Sequence, residues 1–295
     1  MQKQIAITYH GTMTSVGEFK VSRLVPNRYT NAVGPFIFLD HLVPTMFDAK
    51  EPHAPDGSHA HPHRGIATFT YFFKGEMEHF DSQGNHGIVG SGGAQWMKAG
   101  NGIVHDENPS QAFQASGGEL HGTQFWINLP SSAKAERPAY MGVASEEFPK
   151  ALLPDDAGFL KVLIGDYEGA TSPIKTFSKQ FNYHLQLNPG ASFSLSVDPT
   201  FESAALIPTA ELEVNGSRHA NGEVIVFGIE GTEIAVTNHG DVLADILIFG
   251  GETYTESIVA HGPFVMNSEA EIAQAYRDFY AGKYGTISYA ESLVA

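Results

Sequence analysis

The chain reads as an all-β protein of two tandem barrels carrying a short helix near the C-terminus, and three observations predict it. Short runs rich in β-branched and aromatic residues, punctuated by Gly, Asn, Asp and Pro, fill most of the 295 residues. The same texture occurs twice, once in each half of the chain. Only one segment, close to the end, carries apolar residues at helical spacing. This length accommodates two domains of ordinary size, and the boundary is drawn between residues 1–133 and 134–295, inside the polar Ser131–Pro138 stretch that suits a linker.

In chain order, His61-Pro62-His63 forms a short strand, and Ala67–Phe73 a longer one rich in β-branched and aromatic residues. Lys74-Gly75 turns into the alternating run Glu76–Phe80, and Asp81–Asn85 closes another turn. If the parity of His61 and His63 continues without a bulge, Phe69, Tyr71 and Phe73 share their face; a bulge at Arg64-Gly65 reverses it. In the second half the strands are Asn182–Leu187, Ser192–Val197, Glu211–Val214, Glu223–Phe227, Thr232–Val236 and Asp245–Phe249. Asn215-Gly216 is a hairpin turn, and a glycosylation acceptor only in form. The helix lies near 268–282: Ser268 and Glu271 make a capping box, Ile272, Ala275, Tyr276, Phe279 and Tyr280 form a stripe packed on the protein, and Gly282 ends it.

Composition narrows the function. A formal charge of −16 repels phosphate backbones, so direct contact with nucleic acid or an anionic membrane surface is not expected. Neither a secretory leader nor a long apolar span is evident, which makes a cytoplasmic location the expectation. The chain has no cysteine, which removes disulfides, thiolate metal sites and cysteine nucleophiles together.

Two short elements carry the chemistry. Residues two apart on a strand point to one face, so His61 and His63 present two imidazoles together, and His105 and Glu107 an imidazole and a carboxylate. A lone strand histidine is most often structural; the combination of the two pairs is what marks a metal site. Three imidazoles and a carboxylate suit one divalent ion, Fe, Mn, Ni, Cu or Zn, and leave coordination positions open for a substrate or dioxygen. Nearby residues have plainer readings. His59 suits an exposed strand entrance, His79 a hydrogen-bonded sheet position, Arg64 a structural ion pair, and Trp96 and Met97 core positions near the site. Gly90–Gly93 lacks the lysine of a phosphate loop. The second half has scattered histidines, His184, His219, His239 and His261, and offers Ser192, Ser194 and Ser196 on a strand, so it is expected to hold no metal.

The stretches His61-Pro-His-Arg-Gly65, Gln95-Trp-Met-Lys-Ala-Gly100 running into Gly102-Ile-Val-His-Asp-Glu107, Trp126–Pro130 and His261–Asn267 resemble the pirin family of bicupin proteins. The resemblance implies two cupin (jelly-roll) barrels, the first binding a metal, usually Fe(II), through the positions His61, His63, His105 and Glu107. Many cupins carry a glutamate a few residues after the HxH pair. Here Ala67 lies in that region, which leaves Glu107 as the nearby carboxylate. Some pirins, mostly bacterial, resemble flavonol 2,3-dioxygenases such as quercetinase. The implied activity is a metal-dependent dioxygenase acting on a small aromatic flavonol and dioxygen. The metal would bind the 3-hydroxyl oxygen, with Glu107 as both ligand and base. The alternative is a non-catalytic, metal-dependent and redox-sensing regulator with a protein partner, as animal pirins are described.

Overall fold

The structure is a computed structural model that describes residues 1–289. Its regular structure is almost entirely β-strand, as the punctuated pattern predicts. Two compact units result, and a single cut near residue 133 does not describe them. Met1–Thr14 and Val21–His41 group with Glu146–Tyr254, whereas Ser15–Lys20, Leu42–Ser145 and the segment from Thr255 onward form the other unit. Strand pairing explains the exchange. Ile5–His10 runs antiparallel to Glu223–Phe227 and so edges a sheet distant in sequence, and Val265 N–H donates to the Arg64 carbonyl at 3.1 Å in an isolated bridge between Arg64 and Phe264.

In the unit that holds the histidine pairs, the strands are β1 (His61–His63), β2 (Ile66–Lys74), β3 (Glu76–Asp81), β4 (His86–Gly90), β5 (Ala94–Lys98), β6 (Ile103–Pro109), β7 (Gly118–Asn128) and β8 (Ala139–Val143). One sheet has the order β1-β6-β3-β4; a second contains β8-β5-β2-β7. Helices α1 (Gln111–Ser116), α2 (Ser131–Lys134) and α3 (Glu269–Tyr280) accompany them. The Ser131–Pro138 stretch read as a linker thus begins with a helical turn. Ala133 and Lys134 of that turn are buried, and Lys134 Nζ donates to the Gly65 and Val265 carbonyls and to Asn128 Oδ1. The terminal helix follows its sequence signals. Ser268 Oγ accepts from Glu271 N–H, Ile272 and Ala275 are buried, and Gly282 takes φ +73°; Tyr280, counted in the stripe, is instead 79% exposed.

The parity question at Arg64-Gly65 is decided by the glycine. Gly65 has φ +83°, and a Cβ there would lie 1.9 Å from the Val265 carbonyl oxygen, so only glycine fits. The irregularity reverses the alternation of β2. Directly opposed residues of antiparallel strands share a face, and Thr70 opposes both Gln124 and Gln95, while Thr68 opposes Trp126 and Met97. Gln124 and Gln95 bond Glu107, and the Trp126 ring meets His63, so the threonine face looks toward the histidines. Phe69 and Tyr71 point the other way into the core, where Phe69 packs on Phe125. The aromatic wall expected from an unbroken parity is therefore replaced by a polar one.

The other unit follows the same plan with a different interior. Its seven-stranded sheet includes Gly158–Ile164, Gln180–Leu187, Phe201–Leu206, Glu223–Phe227 and Ala244–Glu252; its four-stranded sheet includes Ser192–Ser196, Leu212–Val214 and Glu233–Thr237. Leu160, Val162, Leu185, Leu195, Ile225, Ile234 and Ile246 fill the space with apolar groups. Ser192, Ser194 and Ser196 point outward, leaving Phe193 and Leu195 to pack inward. Asn215 at φ +48° and Gly216 at φ +80° make the predicted hairpin turn.

Candidate metal centre

Strand β6 lies between β1 and β3, with His105 opposite His61 on one side and Glu107 opposite His79 on the other. That register gathers His61, His63, His105, His79 and Glu107 on one face. Three of the four expected ligands meet: one nitrogen each of His61, His63 and His105 lies within 4.8 Å of the others, and His105 Nε2 faces His61 Nε2 at 3.0 Å. Glu107 lies beside this trio rather than within it, its Oε2 3.9 Å from His105 Nδ1, in a second group with His105 and His79. His63 and His105 are 2% and 1% exposed, whereas His61 stands at the open side.

Backbone carbonyls set the tautomers. His61 Nδ1–H donates to the His59 carbonyl at 2.8 Å, and His63 Nδ1–H to the Pro263 carbonyl at 3.2 Å, so each ring keeps its Nε2 lone pair for the centre. His59 is not a member of the cluster; it acts through that carbonyl, its own ring held by Asn108 Oδ1 at 2.9 Å. Asn108 in turn donates to Asp106, which also accepts from Tyr289. Metal-binding imidazoles characteristically use their second nitrogen in this way. Arg64, read as structural, pairs with Asp278 of α3 at 2.8 Å and reaches the Tyr284 hydroxyl.

The electrostatics favour a cation. Burial drives His63 down to about 3 and His105 well below its usual value, so both are neutral and ligation-competent at physiological pH. Burial pushes the Glu107 carboxyl up to about 7, a rise that the hydrogen bond from Gln124 opposes only in part. Gln95 and Gln124 both donate to this carboxylate, and Gln124 also reaches Thr70 Oγ1 at 3.3 Å. Buried His105 Nδ1 has no hydrogen-bond partner among the described residues. With Nε2 as the proton carrier toward His61, that lone pair is stranded. A cation among the Nε2 atoms moves the proton to Nδ1, on the Glu107 side, so the donor set fits a divalent ion.

Sequence reasoning missed part of this surround. Trp126 meets His63 edge to face with ring centroids 5.0 Å apart, and Tyr140 stacks on His79 at 4.0 Å with planes 8° apart. His79 is the buried hydrogen-bonded histidine expected, 3.2 Å from Asp81. Gln124, Thr70 and Tyr140 become visible from sequence only once the parity reversal at Gly65 is recognised. Met97, expected as a core residue near the site, shares the polar wall's face, and Trp96 lies on the opposite one.

Comparison with known proteins agrees with this fold. Residues 18–127 match the Pirin family model, and residues 182–285 the Pirin C-terminal cupin domain. A Pseudomonas aeruginosa protein named "putative quercetin 2,3-dioxygenase" is 34% identical over 96% of this chain and 99% of its own. The crystal structure of a quercetin 2,3-dioxygenase from Acinetobacter baumannii superimposes with a TM-score of 0.90 at 31% identity, covering 98% of this chain and 100% of that one. A bacterial pirin from Escherichia coli in complex with nickel(II) shares the fold at 19% identity and a TM-score of 0.60, over 84% of this chain and 100% of its own.

Proposed function

The chain belongs to the pirin family of two-domain cupins, and from that premise we propose that it is a metal-dependent dioxygenase of flavonol-type aromatic substrates. The observation that carries the reading is the convergence of three neutral imidazoles on one point, with a buried carboxyl of near-neutral pKa beside them. His61, His63 and His105 would hold the ion, with Glu107 as the fourth ligand after turning from its glutamines. Fe(II) is the expected metal, and the same donors suit Mn, Ni, Cu or Zn. A bound divalent ion supplies Lewis-acid stabilisation of an enolate oxygen and the means to engage dioxygen.

The protein's own groups do the rest. Glu107 accepts the proton of the substrate hydroxyl once it loosens from the ion, since burial lifts its carboxyl to about 7 in the metal-free protein. Gln95 and Gln124 receive the carboxylate and bond its charged form when it stands apart from the ion. Trp126 and the Tyr140–His79 stack offer aromatic surface to a planar substrate, while the open side at His61 admits it. Burial of His63 and His105 keeps water from the reacting end.

Elemental analysis of the purified protein, with anaerobic titration of quercetin followed by admission of air, tests the proposal. The expected result is stoichiometric metal and oxygen-dependent loss of the flavonol absorbance. Bound but unchanged quercetin on a fully metallated protein would instead favour a regulator whose metal state controls a protein partner.

A further inference from the structure

We propose that the unit with the apolar interior carries a second small-molecule site, for an organic cation with an apolar body: a quaternary ammonium or protonated amine. This unit carries an open cleft of about 920 Å³, within the range of small-molecule sites and larger than packing defects in a filled barrel. It lies where the two sheets part. Phe181 and Tyr183 come from the strand Gln180–Leu187, Phe201 from Phe201–Leu206, which pairs on the far side of Ala244–Glu252 in the same sheet, and Phe193 from the four-stranded sheet. Tyr167 comes from the small hairpin Asp166–Thr171. The rings form a connected set, with Phe181 4.9 Å from Tyr183 and 6.2 Å from Phe201, and Tyr167 5.7 Å from Tyr183 edge to face. Tyr167, Phe193 and Phe201 are only partly buried, so aromatic surface is left for something else to cover.

Charge selects the occupant. Asp166, Glu168, Asp198 and Glu252 line the same cleft against Lys179; counting also Lys3, which acts on Asp198, and Lys175, 5.0 Å over the Phe177 ring, four carboxylates less three ammoniums still leave a formal surplus of one negative charge. Glu252 is paired with Lys179 at 3.3 Å. Asp166 accepts from the Thr171 hydroxyl and Asp198 from Thr200, neutral donors that leave both charges in place. Anionic ligands are repelled here, and a neutral ring gains only from the aromatic faces. An organic cation gains from both, because an aromatic face attracts a cation through its quadrupole and the carboxylates raise its local concentration. The site is independent of the histidine cluster and of the activity proposed for it.

Calorimetric titration of the full chain with benzyltrimethylammonium tests the assignment, with benzyl alcohol and benzoate as neutral and anionic counterparts. The ammonium should bind at least roughly tenfold more tightly than either counterpart and weaken as salt rises. Tyr167→Ala should weaken it roughly threefold to tenfold. Lys179→Gln, which removes a competing cation from an exposed position, should tighten it severalfold, a change of sign that lost packing cannot produce. Both tryptophans, Trp96 and Trp126, belong to the other unit, so tryptophan emission should stay constant during the titration. Equal binding of the three probes, no binding of the ammonium, or indifference to Lys179→Gln would overturn the proposal. So would a tryptophan response that persists in Tyr167→Ala.

Discussion

The two units are built from the same kind of strands, yet one surrounds polar groups and the other surrounds hydrocarbon. Around His105 the inward positions are His61, His63, His79, Glu107, Gln95, Gln124 and Thr70; around Leu195 they are Leu160, Leu185, Ile234 and Ile246. A buried imidazole or carboxylate costs free energy unless every polar atom finds a partner. The first unit meets that cost with carbonyls of His59 and Pro263 and amides of Gln95 and Gln124, and leaves His105 Nδ1 unmatched. The second unit gains from dense apolar packing around Leu195, with unmatched polar atoms elsewhere, as on Asn182 and Ser203 of the seven-stranded sheet. The contrast teaches that this scaffold is indifferent to what fills it. Function lies in a few inward side chains and in the outer groups that satisfy them.

The sharpest way to break the contrast is to remove a central histidine. His105→Ala should abolish stoichiometric metal and with it turnover, read by elemental analysis and oxygen uptake. Retention of metal would mean that the ion is held elsewhere. The complementary change, Leu195→Ala, should destabilise the apolar unit by about 2–5 kcal/mol through the cavity left behind, while metal content stays at the parental value. Metal loss in that variant, measured alongside chemical denaturation, would show that the two interiors are not separable.

A subtler difference lies in pH. Without metal, the Glu107 carboxyl is raised in the folded state to about 7, so its contribution to stability is present below its ordinary pKa and is lost as pH rises through 7. His63, depressed to about 3, works in the opposite sense: its contribution is present above the ordinary imidazole pKa and is lost as pH falls toward 3. The metal-free protein should therefore weaken in acid, while Glu107→Gln should gain on it between about pH 4.5 and 7. A stability difference between the two that stays constant across that interval would show that the carboxyl titrates normally. Smallest of all, Arg218→Ala breaks an exposed pair with Glu211 and should change unfolding stability by no more than about 0.5 kcal/mol, with neither interior affected.

Much of this architecture was legible in the sequence because strand periodicity and turn residues are local signals. Glu223–Phe227 appears with its predicted bounds, Asn215-Gly216 turns as expected, and Ser268 caps its helix. His61, His63 and His105 were legible because alternation on short strands needs no knowledge of the rest of the fold. The polar wall was not, since a single residue at positive φ, Gly65, inverted the alternation of everything after it in β2. The exchange of chain ends between units was hidden for another reason. Which edge a terminal strand will join depends on pairing partners more than 200 residues away, and Ile5 opposite Phe227 leaves no trace in either segment alone.

That exchange has a consequence for how the protein is made. The Pro263 carbonyl that orients His63 lies 200 residues further along the chain, and Arg64 waits for Asp278 of the last helix. During synthesis His61, His63 and His105 leave the ribosome long before either partner exists. The histidine cluster can mature only after the segment beyond Tyr254 has emerged, so the first part of the site to be translated is among the last to be finished.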